Sequence, residues 1–125
     1  MKKNKVTVKT STTDEFFHSV RGRAEKLDRG ETLPAEITIS FEDPMELLSI
    51  LTSERVRLLR RAKGGSLPIS DLADGLKRDL RAVSRDVVVL EKAGLLRTSY
   101  RVNPGHGRLK IVEALAHGYK LTANL

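Results

Sequence analysis

Residues 70–96 read SDLADGLKRDLRAVSRDVVVLEKAGLL, and this stretch decides the fold. A compact helix is predicted to start at a capping residue, Ser70, and a tight turn at residues 78–79 separates it from a longer helix over about 80–93. Gly94 ends the longer helix, because glycine readily adopts the left-handed backbone conformation found after helix ends. Two helices joined by so short a turn indicate a helix-turn-helix.

The longer predicted helix has an apolar side and a basic side. At about 100° per residue, the apolar side is a stripe formed by Leu80, Val83, Val87 and Leu90. Directly opposite lie the cations Arg81, Arg85 and Lys92. Ser84 lies on the shoulder of this basic side, and Arg78 joins it if the helical phase extends back through the turn. Acidic partners are absent there, since Asp86 and Glu91 fall at other angles.

Guanidinium groups in such a row can bond guanine edges or clamp phosphates, so the basic side predicts contact with the major groove of DNA. The alternative is that these are ordinary solvated charges, which many surface helices carry. The candidate DNA-binding residues of this part of the chain are Arg78, Arg81, Ser84 and Arg85.

Further elements flank the two helices. A helix over about 53–62 and a short strand at 66–69 precede them, and strands over about 95–102 and 108–114 follow. The connection at 103–107 is dense in turn-forming residues. The order helix, strand, helix, helix, hairpin is that of a winged helix-turn-helix, and the predicted fold class is α+β, mainly α.

The hairpin, or wing, adds a second group of candidate DNA-binding residues around its tip: Arg101, Asn103, His106, Arg108 and Lys110. Wings commonly reach phosphates or the minor groove, where arginine is favoured. Strand alternation puts Arg108 and Lys110 on one face, with Leu109 and Ile111 on the other. His106 lies between two glycines; a ligand or proton-relay role is conceivable, but a turn residue near phosphate is the favoured interpretation.

The N-terminal region is predicted to form an extension. Residues 6–8 alternate as a short strand, a capping box at 12–15 opens an amphipathic helix that stops near Gly30, and residues 37–41 alternate as a second strand. A further helix starts with Asp43 as its cap.

Net charge separates the two halves of the chain. Of the formal net charge of +7, residues 1–50 hold 8 Lys/Arg against 9 Asp/Glu, whereas residues 51–125 hold 15 against 7. The excess points to a polyanionic partner for the second half, with a merely soluble basic surface as the alternative. We expect an N-terminal strand-helix-strand extension, 1–40, for dimerisation or partner binding, and a DNA-binding domain, 41–125.

The composition argues against several classes of function. The chain has no cysteine, and its three histidines lie far apart in sequence, so neither a metal nor another cofactor is expected. No nucleotide-binding or hydrolase motif appears, so the chain is not expected to be an enzyme. The absence of an apolar run of about 18 residues and of an apolar signal core predicts a cytoplasmic protein without a membrane partner.

Three blocks of the sequence carry a resemblance to a known group. They are the helix at 51–59, Ile69 to Ala73, and the run from Arg78-Asp79 to Gly94-Leu95. The chain is similar to MarR/ArsR-type winged-helix regulators, and within them to small antitoxin-like predicted regulators, over about residues 37–112. This resemblance implies sequence-specific binding of double-stranded DNA as a homodimer, with repression and often autoregulation beside a toxin gene.

The chain departs from the MarR pattern because the tail at 116–125 is too short for a long dimerisation helix. Dimer contacts are therefore expected from the N-terminal half, either from the extension or from the helix near 44–51. An alternative function is a protein-interaction module that neutralises a partner toxin, with DNA binding secondary. Binding of structured RNA is a poorer alternative, because the deep, narrow A-form groove does not admit the helix.

Overall fold

A computed structural model of the chain describes residues 5–9 by their backbone, and residues 33–105 and 107–125 with side chains. The described elements, in chain order, are β1 (Lys5–Lys9), β2 (Glu36–Phe41), α1 (Pro44–Ile50), α2 (Ser53–Ala62), β3 (Leu67–Pro68), α3 (Ile69–Leu76), α4 (Leu80–Lys92), β4 (Leu96–Asn103), β5 (Gly107–Ala114) and β6 (Gly118–Ala123). They divide between a central unit, residues 50–114, and a terminal unit, residues 1–49 with 115–125.

The central unit is a winged helix-turn-helix. Helices α2, α3 and α4 precede the antiparallel hairpin β4–β5, and the short strand β3 pairs with the other edge of β5. The predicted fold is therefore confirmed. Among the described residues, strands occupy nearly as much of the chain as helices, so the fold is mixed α/β. The expectation of a mainly α fold took no account of β6, which the sequence pattern did not reveal.

The core of the central unit follows the predicted periodicity with one exception. Its fully buried side chains come from every helix, from the hairpin and from the turn before the hairpin: Leu58, Leu72, Val83, Val87, Leu90, Leu95, Leu96, Ile111 and Val112. Leu80 is 46% exposed, so its assignment to the apolar stripe was wrong. Helical side chains lean toward the N-terminus, and the first residue of a helix therefore lies over the preceding loop instead of the core.

The turn of the helix-turn-helix is held by a left-handed residue that is not glycine. Lys77 has φ 54° and ψ 47°. The amide of Arg78 donates to the carbonyl of Ala73 at 3.1 Å, and the amide of Lys77 donates to that of Asp74 at 3.1 Å. These are the two hydrogen bonds of a Schellman motif, and they satisfy carbonyls that the end of α3 would otherwise leave unpaired. They fix the direction in which the chain leaves α3 for α4.

Helix α4 ends in the same motif, here with the predicted glycine. Gly94 has φ 86°, the amide of Leu95 donates to the carbonyl of Leu90 at 2.9 Å, and Gly94 donates to Glu91 at 3.0 Å. Both leucines are fully buried, which supplies the apolar contact that usually accompanies this cap.

Helix α3 begins two residues earlier than the capping prediction requires. Its N-cap is Pro68, with φ −60° and ψ 143° and no side-chain hydrogen bond, so the prediction that Ser70 caps the helix was wrong. Strand β3 runs directly into α3, and Pro68 keeps the extended ψ of the strand at the N-cap, where its φ is also compatible with the start of a helix.

The terminal unit contains a second three-stranded sheet. Its middle strand, β2, pairs antiparallel with β1 and parallel with β6. The predicted strands around residues 6–8 and 37–41 are confirmed, whereas the predicted helix over 12–30 lies outside the described residues. Burial alternates along β2, with Ile37 and Ile39 fully buried, as a strand with one covered face requires. Across the described part of the chain, the helices are too short or too polar to cross a membrane.

Candidate nucleic-acid interface

Helix α4 presents a cationic side to solvent. Arg81, Arg85 and Lys92 are exposed, while Val83 and Val87 on the opposite side are fully buried. None of the three cations forms an ion pair with another described residue. Ser84 is half-buried on the shoulder of this side, as predicted. The structure therefore brings Arg81, Ser84 and Arg85 together on one surface of a docked helix.

The acidic residue in the middle of α4 faces the other way. Asp86 is 9% exposed, and its two carboxylate oxygens accept from arginines in two other parts of the central unit. Arg55 of α2 donates from Nε to Oδ1 at 3.0 Å, and Arg78 of the turn donates from Nη1 to Oδ2 at 2.8 Å. The Nε of Arg78 also lies 3.3 Å from an oxygen of Glu54. We call these four residues the Asp86 cluster; it ties α4 to α2 and to the turn.

Arg78 is therefore separated from the two arginines with which it was grouped. Its side chain is 19% exposed and its guanidinium faces two carboxylates, whereas Arg81 and Arg85 are exposed. Its contact with DNA stays a prediction, but the structure gives Arg78 a positioning role. The sequence did not reveal this role, because Arg78 lies eight residues before Asp86, and the other partner of Asp86, Arg55, lies 31 residues before it.

The other arginines of α2 divide between structural contacts and solvent. Arg57 pairs with Glu54 at 3.2 Å and donates from Nη2 to the carbonyl of Leu76 at 3.4 Å. Arg60 and Arg61 are exposed. The basic residues of this helix therefore do not all face one way.

The wing has two faces of different chemistry. The register pairs Tyr100 with Lys110 and Val102 with Arg108, so these four residues share one face, which we call the wing face. Arg101 pairs with Leu109 and therefore lies on the opposite face. The prediction that Arg108 and Lys110 share a face is confirmed.

The remaining predicted wing residues fall elsewhere. Asn103, the last residue of β4, pairs with Gly107 on the same face as Arg101, and His106 lies outside the described residues. The structure thus does not gather the wing cations into one cluster. Contact of these residues with DNA stays a prediction.

Two exposed apolar side chains on the wing face were missed by the sequence reasoning. Tyr100 is 58% exposed and Val102 is 78% exposed. The guanidinium carbon of Arg108 lies 4.7 Å from the centroid of the Tyr100 ring, within the range of a cation–π contact. The ring restrains a long side chain that would otherwise sample many rotamers. The sequence could have identified both side chains, because the residues that pair with 108 and 110 across the hairpin lie on the same face as these two cations.

A carboxylate at the end of α4 fixes the base of the wing. One oxygen of Glu91 accepts from the amide of Thr98 at 2.9 Å and from its hydroxyl at 2.7 Å. Beside it, Arg97 of β4 pairs with Glu113 of β5 at 2.8 Å. The hairpin is thereby anchored to the helix that carries the basic side.

The charge of the chain belongs to the central unit. Residues 50–114 include 14 Lys/Arg and 7 Asp/Glu, while the rest of the chain holds 9 of each, so the net charge of +7 falls entirely on the winged helix. In the described residues, His, Asp and Glu side chains form no group of three able to hold a metal ion.

Comparison with known proteins finds a match to a family model and matches to solved structures. The family model HVO_A0114 matches residues 50–105, which is most of the central unit. A "possible transcriptional regulator" from Methanosarcina mazei Go1 is 20% identical with a TM-score of 0.48, over 55% of this chain and 62% of that one. Reduced HlyU from Vibrio cholerae N16961 is 18% identical with a TM-score of 0.48, over 58% of this chain and 72% of that one. The chain thus spans less than two thirds of the Methanosarcina protein. Among curated proteins, none matches significantly.

The Asp86 cluster predicts a large loss of stability on removal of its carboxylate. Asp86→Ala leaves Arg55 and Arg78 without their shared acceptor, and we expect the free energy of unfolding to fall by about 2–4 kcal/mol, somewhat below the range for fully buried pairs. Urea denaturation followed by circular dichroism measures the change. Asp74→Ala, an exposed aspartate in α3, is the control and should shift stability by no more than about 0.5 kcal/mol. If the two substitutions lowered the free energy of unfolding equally, the Asp86 cluster would contribute no more to stability than an exposed aspartate does.

Proposed function

We propose that the chain is a sequence-specific, double-stranded DNA-binding transcriptional regulator whose helix α4 enters the major groove. One observation carries the proposal: Arg81 and Arg85 lie exposed, and without ion pairs to described residues, on a helix whose opposite side is buried. This helix occupies the recognition position of a winged helix-turn-helix. The major groove, about 12 Å wide, admits an α-helix.

Arg81 and Arg85 are the proposed base-reading residues, with Ser84 beside them. An arginine can donate two parallel hydrogen bonds to O6 and N7 of guanine, a pattern that no other base edge offers. The tight turn at Lys77 and the Asp86 cluster support this assignment, because both fix α4 relative to the rest of the central unit. Because α4 is already held in place, its backbone loses little further entropy when it binds DNA.

The wing face is the proposed phosphate-binding surface. Arg108 and Lys110 lie together on it, and the Tyr100 ring restrains Arg108. Phosphate contacts set the position of a protein on the duplex and supply the salt-dependent part of its affinity, but they carry no direct sequence information. Arg101 and Asn103 would serve the same purpose only from the other face of the hairpin.

Base-reading and phosphate-binding residues predict different mutant behaviour. Arg85→Ala should cost about 1–3 kcal/mol on a preferred duplex and relax the sequence preference. Lys110→Ala should weaken binding to all duplexes alike and reduce the slope of log K against log salt by about one unit. Fluorescence anisotropy with preferred and scrambled duplexes at several salt concentrations measures both. An equal loss on the two duplexes for Arg85→Ala would contradict base reading by that residue.

We further propose that the regulator is a homodimer in which α1 contributes to the interface. Winged and other helix-turn-helix proteins commonly bind as dimers to two half-sites about 34–36 Å apart, which matches one helical turn of DNA. Met45 and Leu48, 67% and 66% exposed, lie three residues apart on one side of α1. Adjacent apolar side chains of this size are typical of an interaction surface.

Disruption of this surface should separate the subunits. With Met45→Glu and Leu48→Glu combined, sedimentation velocity should show a monomer, and binding to a two-half-site duplex should weaken more than binding to a single half-site. Glu42→Lys, in the exposed segment before α1, is the control for a change of charge and should leave the dimer intact. A wild-type monomer, or a double variant that remains dimeric, would remove α1 from the interface.

From the family resemblance we further propose that the regulator is a repressor, that it regulates its own gene and that it has a cognate toxin. The segment to which toxin binding is assigned, residues 1–40, lies mostly outside the described residues. If neutralisation of a toxin is the main function, removal of this segment should abolish partner binding and leave weak DNA binding by residues 41–125.

A further inference from the structure

The basic side of α4 carries one apolar residue among its cations. Val88 is 40% exposed, whereas the neighbouring Val87 is fully buried. Leu80 is the other exposed apolar residue of α4, but it stands at the first position of the helix and away from the basic side. At about 100° per residue, Val88 lies between Ser84 and Arg81, at the margin of the basic side. It therefore belongs to the surface that we assign to the major groove.

The spacing of this surface is that of a helix that reads bases. Counted from Arg81, the next exposed or half-exposed side chains on the same side are Ser84, Arg85 and Val88, at positions three, four and seven. In the homeodomain, base contacts come from the same set of spacings along the helix that lies in the major groove. Val88 completes a set of four whose other members are polar or basic.

The chemistry of a valine side chain limits what it can read. It has no hydrogen-bond donor or acceptor, and the 5-methyl group of thymine is the apolar feature that a major groove offers. A β-branched residue also has lower helix propensity than alanine or lysine, so helix stability does not account for valine at an exposed position in mid-helix. A single exposed apolar residue is ordinary on a protein surface. Val88 differs from such a residue in its position, about one helical turn from both Arg85 and Lys92. When these two cations bind DNA, Val88 is held in the major groove between them.

We infer that Val88 determines specificity by contact with the methyl group of a thymine in each half-site. The inference rests on the proposed function, because it requires α4 in the major groove. Arg81 and Val88 are seven residues apart, which is about 10 Å along the helix axis, so both fall within the reach of one half-site. The half-site should therefore contain a guanine read by Arg81 and, within a few base pairs of it, a thymine read by Val88.

The test removes the methyl group from the DNA and the isopropyl group from the protein, separately and together. A duplex is selected from a random pool with the wild-type protein, and each thymine is then replaced singly by deoxyuridine. At one position in each half-site, we expect the replacement to weaken wild-type binding by about fourfold. This factor corresponds to the free energy gained by burying one methyl-sized group. Val88→Ala should bind the thymine duplex about fourfold more weakly and should not distinguish thymine from deoxyuridine there.

Two further variants control the comparison. Val88→Thr keeps one of the two γ-methyl groups, which Val88→Ala loses, and should retain most of the sensitivity to thymine. Val89→Ala makes the same change one residue along the helix, at a half-buried position off the basic side, and should retain all of it. Alanine favours the helix, so Val88→Ala should fold, and its circular dichroism spectrum should match that of the wild type.

The inference is overturned if the wild type tolerates deoxyuridine at every position, or if Val88→Ala keeps the full difference between thymine and deoxyuridine. In either case the proposed function stands as long as the selected duplex binds better than a scrambled one. If selection enriches no sequence, the proposed function itself fails, and the inference about Val88 fails with it.

Discussion

The hydrogen bonds between Asp86, Arg55 and Arg78 are the contact on which the proposed DNA-binding surface depends. One carboxylate joins α2, the turn and α4, and its burial places the acidic residue of mid-α4 away from solvent. Arg55 and Arg78 are paired with a carboxylate inside the central unit, whereas Arg81 and Arg85 on the outer side form no ion pair with a described residue. A carboxylate on that outer side would reduce the attraction to phosphate and repel base-edge acceptors.

Glu91 has a related role at the other end of α4. Its carboxylate accepts two hydrogen bonds from Thr98 and so anchors the wing to the last turn of the helix. Both acidic residues of α4 thus hold neighbouring elements, and neither lies among the exposed cations. This division explains how a helix with a mixed sequence presents a surface of one sign, flanked by a wing whose Arg108 is restrained by Tyr100.

Local patterns predicted the parts of the fold that local interactions decide. The bounds of α2, the end of α4 at Gly94 and the β4–β5 hairpin follow from periodicity, capping and turn chemistry, and all agree with the structure. The basic side of α4 followed from the same periodicity. Contacts between distant residues were not predictable in this way: Arg55 and Asp86 lie 31 residues apart, and β6 joins β2 from the far end of the chain. The left-handed Lys77 was also missed, because lysine does not mark that conformation as glycine does.

In the proposed function, α4 reads a DNA sequence instead of merely attracting phosphate. The most direct test is the ratio of wild-type affinities for the DNA upstream of its own gene and for a scrambled duplex of the same composition, measured by fluorescence anisotropy over a range of salt concentrations. If this DNA contains the binding site, we expect the ratio of affinities to be roughly 10³ or more, because base contacts persist when salt weakens the phosphate contacts. A ratio near one at every salt concentration, on this DNA and on duplexes selected from a random pool, would contradict the claim and leave a non-specific basic module.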